Sequence, residues 1–344
     1  MPSAGQYGAS PGNGLSMIVV MGVTGSGKSH FINQLAGRNF VQEGEDLNSC
    51  TQECQMIPLE VGSSKLVVID TPGFDDTKRS DADILNEIAR VLTAQYQLGL
   101  ELRGIVYMHR ITDIKYTGSN NKTFEIFKRI CGKDALKNVI LLTSRWNEVD
   151  EATGASRERQ LRETFWCFML SHGSCMSRFS GDHSSAVSLT SQLLMKDAVV
   201  LCLQREIQEE GKDLRDTSAG SFLDGDLSER RQQALEEIKS LEQRRNELKD
   251  SDQAMRRQFE RDWEKQKEQL RAAEQQRITL QNHVGQDVQG EIKIEQSKKS
   301  SSKGLKRLIP LIPTSLSLLG LFVGIPPGSF ESLFDFILGL GSDC

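Results

Sequence analysis

The segment MIVVMGVTGSGKSHFINQLAG, residues 17–37, decides the fold. Its first five residues are apolar, a pattern that suits a strand buried on both faces. GVTGSGKS at 22–29 then fits the pattern G-x-x-x-x-G-K-S/T completely, and a helical pattern follows. A strand, a glycine-rich loop and a helix in this order form the context in which the pattern binds nucleotide phosphates. The alternative is a glycine-rich turn with a chance Lys-Ser pair.

The chemistry of this loop predicts which residues contact a nucleotide. The glycines let backbone N–H groups turn inward around the phosphates, and the helix N-terminus adds partial positive charge. Lys28 can reach the β- and γ-phosphates, and Ser29 can ligate Mg²⁺. The predicted nucleotide-binding residues here are Gly22, Val23, Thr24, Gly25, Ser26, Gly27, Lys28, Ser29 and His30.

A second predicted anchor is DTPG at 70–73, directly after the strand pattern KLVVID. Asp70 stands where a carboxylate reaches the Mg²⁺ shell, and the backbone N–H of Gly73 can contact a γ-phosphate. Between the anchors, Thr51 precedes a predicted edge strand over 55–61 and can complete the Mg²⁺ shell. We therefore predict Ser29, Thr51 and Asp70 as metal ligands. Lys28, Thr51 and Gly73 are predicted to act on the γ-phosphate.

Apolar runs alternate with helical patterns over the first two thirds of the chain. The runs are MIVVM (17–21), KLVVID (65–70), GIVYM (104–108) and NVILLT (138–143), with a helical pattern at 82–97. Such alternation predicts an α/β fold of the phosphate-loop NTPase type, a three-layer αβα sandwich with a mostly parallel sheet. We assign this domain to residues 16–215. The Gly-, Ser- and Pro-rich residues 1–15 are predicted to be a disordered lead.

Residues 216–296 are predicted to form a long charged helix. The stretch 228–271 holds 23 charged residues of 44 and neither Pro nor Gly. An apolar residue recurs every seven positions, and Arg245 and Asp252 interrupt the companion stripe. Two interpretations stay open: the helix packs back on the α/β domain, or it forms a coiled coil with a second chain. The apolar positions are Leu227, Ala234, Leu241, Leu248 and Met255.

Residues 297–344 form a basic segment followed by an apolar tail. Residues 298–307 carry five basic side chains and no acid, and residues 308–330 carry no charge. Prolines leave an unbroken helix of about 12 residues, which is short for a membrane span. We expect peripheral attachment to an anionic membrane surface. A true span and a cover over an apolar face of the domain are the alternatives.

Composition excludes several classes of protein. The chain has 344 residues and a net charge of −5, so no global positive field attracts nucleic acid. Seven scattered cysteines do not form a secreted disulfide framework. The predicted location is cytoplasmic, with the membrane contact as a peripheral one.

The order of motifs resembles the GTPase class of phosphate-loop proteins. GxTGSGKS, S-x-T-x-x-C around Thr51 and DTPGF look most like the septin, chloroplast-import-receptor and immunity-associated GTPase group, especially fungal G-domain-containing proteins. The resemblance covers about residues 16–210. It implies GTP and GDP as ligands with Mg²⁺, GTP hydrolysis and a role as a switch or assembly module. A homodimer through the G domain or the long helix is also expected.

The chain departs from this group at the base-reading loop, (N/T)-K-x-D. In LLTSRWNEVD (141–150), Thr143 matches the first position, Ser144 replaces Lys and Trp146 replaces Asp. We predict that Thr143 and Trp146 contact the nucleotide, with Trp146 either stacking on the base or packing against the core. Glu148 or Asp150 would have to read guanine from shifted positions.

Three further residues bear on the site. Asp182 and His183 follow a predicted strand and are candidate neighbours of the base. Phe74 follows Gly73 where Ras-like enzymes place a water-orienting Gln, so intrinsic hydrolysis is expected to be slow. Two other functions therefore stay open, a non-catalytic nucleotide-binding scaffold and an ATP-binding phosphate-loop enzyme.

Overall fold

A computed structural model of the protein describes residues 15–42, 53–76, 78–247, 253–301 and 314–325. Residues 1–14 of the predicted lead at 1–15 lie outside the described residues, as does Thr51, whereas Leu15 is the first residue of a strand. The strands are β1 Leu15–Gly22, β2 Gln55–Val61, β3 Ser64–Asp70, β4 Glu101–Arg110, β5 Val139–Ser144 and β6 Cys175–Arg178. The helices are α1 Lys28–Ala36, α2 Asp81–Gln97, α3 Gly118–Cys131, α4 Glu151–Gln160, α5 Cys167–Ser171, α6 His183–Leu194, α7 Cys202–Gln208, α8 Ser218–Glu247, α9 Gln253–Thr279, α10 Val284–Ser301 and α11 Thr314–Leu319.

The strands form one six-stranded sheet in the order β2-β3-β1-β4-β5-β6. Strand β2 runs antiparallel to β3, and the other neighbours are parallel. The predicted α/β fold with a mostly parallel sheet is thereby confirmed, including the edge strand at 55–61. Because the strands other than β2 share one direction, their carboxyl ends meet at one edge, where ligands of such sheets bind.

Helices cover both faces of this sheet, as the apolar character of the strands predicts. Alternate residues of β1 point to opposite faces, since the side-chain period of a strand is two. Met17, Val19 and Met21 belong to a core shared with α2 and α3, whereas Ile18 and Val20 pack with α1 and α6. The phosphate-loop strand is therefore buried from both sides and held in a fixed position.

The single long helix predicted over 216–296 is wrong, because this region holds α8, α9 and most of α10. Helices α8 and α9 pack side by side in antiparallel directions: Trp263 donates to Glu242 at 3.1 Å and Arg231 pairs with Glu274 at 3.3 Å. An interrupted and narrow apolar stripe does not provide enough buried surface to stabilise one long straight helix. It is buried instead by folding the chain back on itself.

The helical region also packs back on the α/β domain, the first of the two interpretations above. Leu223 and Leu227 of α8 and Val288 of α10 lie in the same core as α2 and α3. Asp224 joins the region internally through Arg215 at 2.9 Å and Arg277 at 2.7 Å. Because these partners come from separate elements, the charged helices are held as one layer against the sheet.

The described part of the apolar tail, residues 314–325, covers the edge of the sheet. Leu316, Leu319 and Phe322 are buried in the main core. Gly324 pairs with the edge strand β2: its N–H donates to Cys54 at 2.7 Å, and its carbonyl accepts from Met56 at 2.8 Å. Within the described residues, no helix has both the length and the apolar character that crossing a membrane requires.

The remaining tail residues, 302–313 and 326–344, lie outside the described residues. Most of the basic segment 298–307 falls there, so attachment to an anionic membrane stays a prediction. The packing of residues 314–325 agrees with the alternative of a cover over an apolar face, for this part of the tail only.

We expect Gly324→Pro to detach the tail from β2, because proline has no N–H to donate to Cys54 and its ring crowds the pairing. Hydrogen exchange of the Met56 amide should become about fivefold faster, as expected for a lost bond of ~1 kcal/mol. The matched control is Leu321→Ala in the same segment, whose side chain is 48% exposed. Unchanged protection of Met56 in Gly324→Pro would contradict this pairing.

Candidate nucleotide-binding site

The phosphate loop passes directly from the end of β1 into α1. Gly22 has a φ of 143°, and a Cβ there would lie 2.2 Å from the carbonyl oxygen of Met108 on β4, so only glycine fits. Gly27 occupies the N-cap of α1 with a φ of 87°. The loop therefore lies against the sheet and leads into the N-terminus of α1, the arrangement that binds phosphate.

Lys28 is the one predicted phosphate ligand whose charge sits inside the protein. Its side chain is buried, and Nζ donates to the carbonyl oxygens of Gly22 at 3.3 Å and Val23 at 3.1 Å. Burial lowers the pKa of Lys28 to about 8, an effect that the nearby carboxylates Asp70 and Asp76 partly oppose. An anion placed at the loop would favour the charged form of this amine.

Asp70 and Ser29 meet as the predicted metal ligands require. Asp70 ends β3 and is fully buried, and the hydroxyl of Ser29 donates to its Oδ2 at 3.2 Å. Hydroxyl and carboxylate oxygens are the hard donors that Mg²⁺ prefers. The residues present therefore fit Mg²⁺ held between α1 and β3. Thr51, the third predicted ligand, lies outside the described residues.

The DTPG loop packs on the phosphate loop. A Cβ on Gly73 would lie 2.5 Å from the backbone nitrogen of Thr24, so this glycine allows a close approach that no other residue permits. The N–H of Thr24 donates to the carbonyl oxygen of Phe74 at 3.3 Å. The Phe74 side chain is 1% exposed and belongs to the core. It therefore contributes no polar group to this site.

The loop after β5 contacts the phosphate loop through two residues, Ser144 and Arg145. The sequence analysis did not predict this contact for either of them. The hydroxyl of Ser144 donates to the carbonyl oxygen of Ser26 at 2.7 Å, and Nε of Arg145 donates to that of Gly25 at 3.2 Å. The available signal was their position: both follow a buried strand, and the carboxyl ends of such strands converge.

Thr143 and Trp146, the two predicted base contacts, are bound within the fold. Thr143 is fully buried and accepts a hydrogen bond from Nε1 of Trp146 at 3.0 Å. The guanidinium of Arg178 lies 3.8 Å from the centre of the Trp146 ring. Gly154 packs on the ring as well, since a Cβ there would be 2.6 Å from Cζ3. Their contact with a nucleotide stays a prediction.

Backbone strain is found on both sides of the phosphate loop. Among the described non-glycine residues, only Asp75 and Arg145 have a positive φ, of 72° and 61°. Asp75 follows the DTPGF motif and Arg145 follows β5. A left-handed conformation outside glycine costs ~1 kcal/mol or more and is found most often at functional sites. Its occurrence in these two loops agrees with a site between them.

The loop after β6 closes the same edge of the sheet against α1. His30 Nε2 lies 3.3 Å from the carbonyl oxygen of Gly181, and His183 Nδ1 lies 2.6 Å from that of Gln34. The carboxylate of Asp182 accepts from the N–H of Ser185 at 2.8 Å and caps α6. His30 and His183 thus link α1 to the start of α6 beside the phosphate loop, while Asp182 caps α6.

Residues 16–161 match the sequence model of the AIG1 family. This match covers less than half of the chain, and it shows that the phosphate-loop domain is similar to that family. The matched region runs from β1 to the end of α4 and includes the phosphate loop, the DTPG loop and the loop after β5. The resemblance to the immunity-associated and import-receptor GTPases is confirmed by this match.

Known proteins also resemble the chain over part of its length. GTP-binding protein A of Dictyostelium discoideum is 24% identical over 132 residues, which span 38% of this chain and 28% of that protein. Toc33 of Arabidopsis thaliana, solved with Mg²⁺ and GMPPNP, is 15% identical with a TM-score of 0.42. The likeness to Toc33 covers 55% of this chain and 88% of that one. Era of Aquifex aeolicus, bound to GDP·AlF4⁻, is 16% identical with a TM-score of 0.41. The likeness to Era covers 54% of this chain and 58% of that one.

The lowered pKa of Lys28 predicts that triphosphate binding weakens in mildly alkaline solution. The free amine loses its proton near pH 8, whereas bound phosphate raises its pKa, so binding at higher pH takes up a proton. Affinity for GTP should fall about fourfold between about pH 7 and about pH 8.5 and stay nearly constant below that range. Calorimetry in buffers of different ionisation enthalpy measures the proton uptake. The control is Lys28→Arg, which stays charged and should lose the dependence; affinity that rises with pH would contradict the assignment.

Proposed function

We propose that this protein is a GTP-binding switch that binds GTP or GDP together with Mg²⁺ at the end of β1. The observation that carries the proposal is the convergence of Lys28, Ser29 and Asp70 at one glycine loop. A buried cation and a buried carboxylate joined to a hydroxyl form a costly arrangement unless a ligand uses it. A phosphate bound with a divalent cation would add an anion beside Lys28 and a cation beside Asp70.

Each residue has one role in this proposal. Lys28 neutralises charge on the terminal phosphates, and the N–H groups of the loop and of Gly73 stabilise the oxygens. Ser29 and Asp70 hold Mg²⁺, which when bound neutralises the charge that develops during phosphoryl transfer. Ser144 and Arg145 hold the carbonyl side of the phosphate loop, so that the N–H groups of the loop face the nucleotide.

Hydrolysis of GTP is slow in this proposal, because the chain places a buried phenylalanine where a water-orienting group would lie. Phe74 has no hydrogen-bonding atom on its side chain, and it is packed into the core. Water attack in line with the leaving oxygen then depends on a group from elsewhere. A second copy of the chain, docked at the same edge of the sheet, supplies that group and makes the protein an assembly module.

Binding is tested with Lys28→Ala, which should lower GTP affinity at least about tenfold, because a charge-assisted phosphate contact of ~1.5–3 kcal/mol is lost. The matched control is Lys133→Ala, an exposed lysine in the loop before β5, at the opposite edge of the sheet. Fluorescent GTP titration measures both variants. Equal affinity of Lys28→Ala and the unaltered protein for GTP would contradict the assignment of the phosphate loop as the binding site.

The rate of hydrolysis tests the role of Phe74. Single-turnover hydrolysis in dilute protein should be slower than about 0.01 s⁻¹ and should rise with protein concentration if a second copy completes the site. Phosphate release from a fixed amount of GTP over a range of protein concentrations gives both quantities. A fast rate independent of concentration would mean that the chain itself carries the catalytic group. No hydrolysis at any concentration would favour the non-catalytic scaffold.

A further inference from the structure

Asn147 is an exposed polar side chain in the loop that lies on the phosphate loop. Its neighbours are held in place: Ser144 and Arg145 contact phosphate-loop carbonyls, and Trp146 is packed between Arg178 and Gly154. Residues 146–148 form one turn of a tight helix, in which successive side chains point ~120° apart. Because the indole points into the domain, Asn147 points away from it, toward solvent.

The order of the strands determines which end of a nucleotide this loop meets. Lys28, Asp70 and Gly73 place the terminal phosphate between β1 and β3, on one side of the phosphate loop. The other side faces β4, β5 and β6. There the loop after β5 touches Gly25, and the loop after β6 touches His30. A nucleotide with its terminal phosphate toward β3 therefore directs its base toward the loop of Asn147.

The acidic side chains of these two loops are engaged in contacts within the protein. Glu148 pairs with Arg145 at 2.8 Å. Asp150 caps α4 by accepting from the N–H of Thr153 at 2.9 Å, and Asp182 caps α6 in the same way. Within the described chain, the Asn147 side chain has no hydrogen bond or ion pair to another residue. It is thus an exposed polar side chain of this loop that can turn to a ligand without breaking a contact within the described chain.

We propose that Asn147 reads the purine base, and that its neutral amide gives the site a preference unlike that of a carboxylate. This inference rests on the nucleotide site proposed above. A carboxylate accepts two hydrogen bonds, whereas an amide offers one acceptor oxygen and one donor nitrogen on the same edge. Guanine presents two donors there, its N1–H and its 2-amino group. Xanthine presents a donor and an acceptor, its N1–H and its 2-oxo group.

The consequence is a relaxed choice among purine nucleotides. The amide pairs with both groups of xanthine but leaves the 2-amino group of guanine facing its own N–H. A mispaired polar group lowers affinity, and the loss is smaller at an exposed site than at a buried one. XTP should therefore bind at least as tightly as GTP. Binding of GTP then rests on its phosphates and on its abundance, through mass action.

The experiment compares GTP, XTP and ATP, each titrated with Mg²⁺ against the full-length chain and three variants. Asn147→Asp restores two acceptors, so it should tighten GTP and weaken XTP, changing the ratio of their Kd values by roughly 100-fold. The matched control is Asn246→Asp, the same change of charge at an exposed position of α8. This control should leave the ratio unchanged. Lys28→Ala should weaken all three nucleotides alike.

The outcomes separate this inference from the proposed function. If Lys28→Ala weakens binding but Asn147→Asp leaves the ratio of GTP to XTP unchanged, another residue reads the base and the inference fails while the phosphate site stands. An unaltered protein that prefers GTP over XTP by more than about tenfold also overturns the inference. If no nucleotide binds, or if Lys28→Ala has no effect, the proposed function fails and the inference fails with it.

Discussion

The buried amine of Lys28 is the constraint on which the site depends. A lysine inside a protein must either lose its proton or find compensating groups, and this one has its pKa lowered to about 8. Its compensating groups are two loop carbonyls and the field of Asp70, which is itself buried. Strand β1 ends at Gly22, whose carbonyl binds Lys28, and β3 ends at Asp70; these two strands are neighbours in the sheet. The parallel pairing of these strands brings the opposite charges to one edge of the sheet.

Two other loops are packed against the same phosphate loop from opposite sides. Gly73 approaches Thr24 too closely for a side chain, and Ser144 and Arg145 bind the carbonyls of Ser26 and Gly25. A change in the conformation of the phosphate loop on binding nucleotide would therefore displace both of these loops. The tail pairs through Gly324 with Cys54 and Met56 at the start of β2, the edge strand next to β3. A switch requires such contacts, since a ligand shifts an equilibrium only through groups that differ between its states.

Most of the fold could be predicted from the sequence, because the four buried strands are continuous apolar runs and the phosphate loop has a complete pattern. The positions of the residues in the base-reading loop after β5 could not be predicted as reliably. Matching residues to a motif put Thr143 in the first position, whereas the three-dimensional contacts put Ser144 and Arg145 on the phosphate loop. A shift of one residue at the end of a strand turns a side chain to the other face of the sheet, and the sequence pattern does not locate that end exactly.

The fold of the charged helical region could not be predicted for a related reason. The seven-residue stripe marked three buried residues of α8, Leu227, Ala234 and Leu241, whereas Met255 of α9 is 47% exposed. A periodic stripe does not say whether its partner is a second chain, the domain or the next part of the same chain. The positions of Arg245 and Asp252 indicated a break in the stripe. Polar residues in a stripe are compatible with one interrupted helix or with two helices, and the structure has two: α8 ends at Glu247 and α9 begins at Gln253. The contact between Trp263 and Glu242, made only when the chain folds back, was not visible in the pattern.

The dependence of GTP binding on Mg²⁺ tests the central claim most directly, because it probes Ser29 and Asp70 together with the phosphate loop. Calorimetric titration of the full-length chain with GTP and with GDP, each in Mg²⁺ and in EDTA, gives the four affinities. The account predicts that Mg²⁺ tightens GTP at least about tenfold and tightens GDP less, since Ser29 and Asp70 would hold the metal where it neutralises charge on the terminal phosphate. GTP affinity that is the same in EDTA as in Mg²⁺ would contradict it.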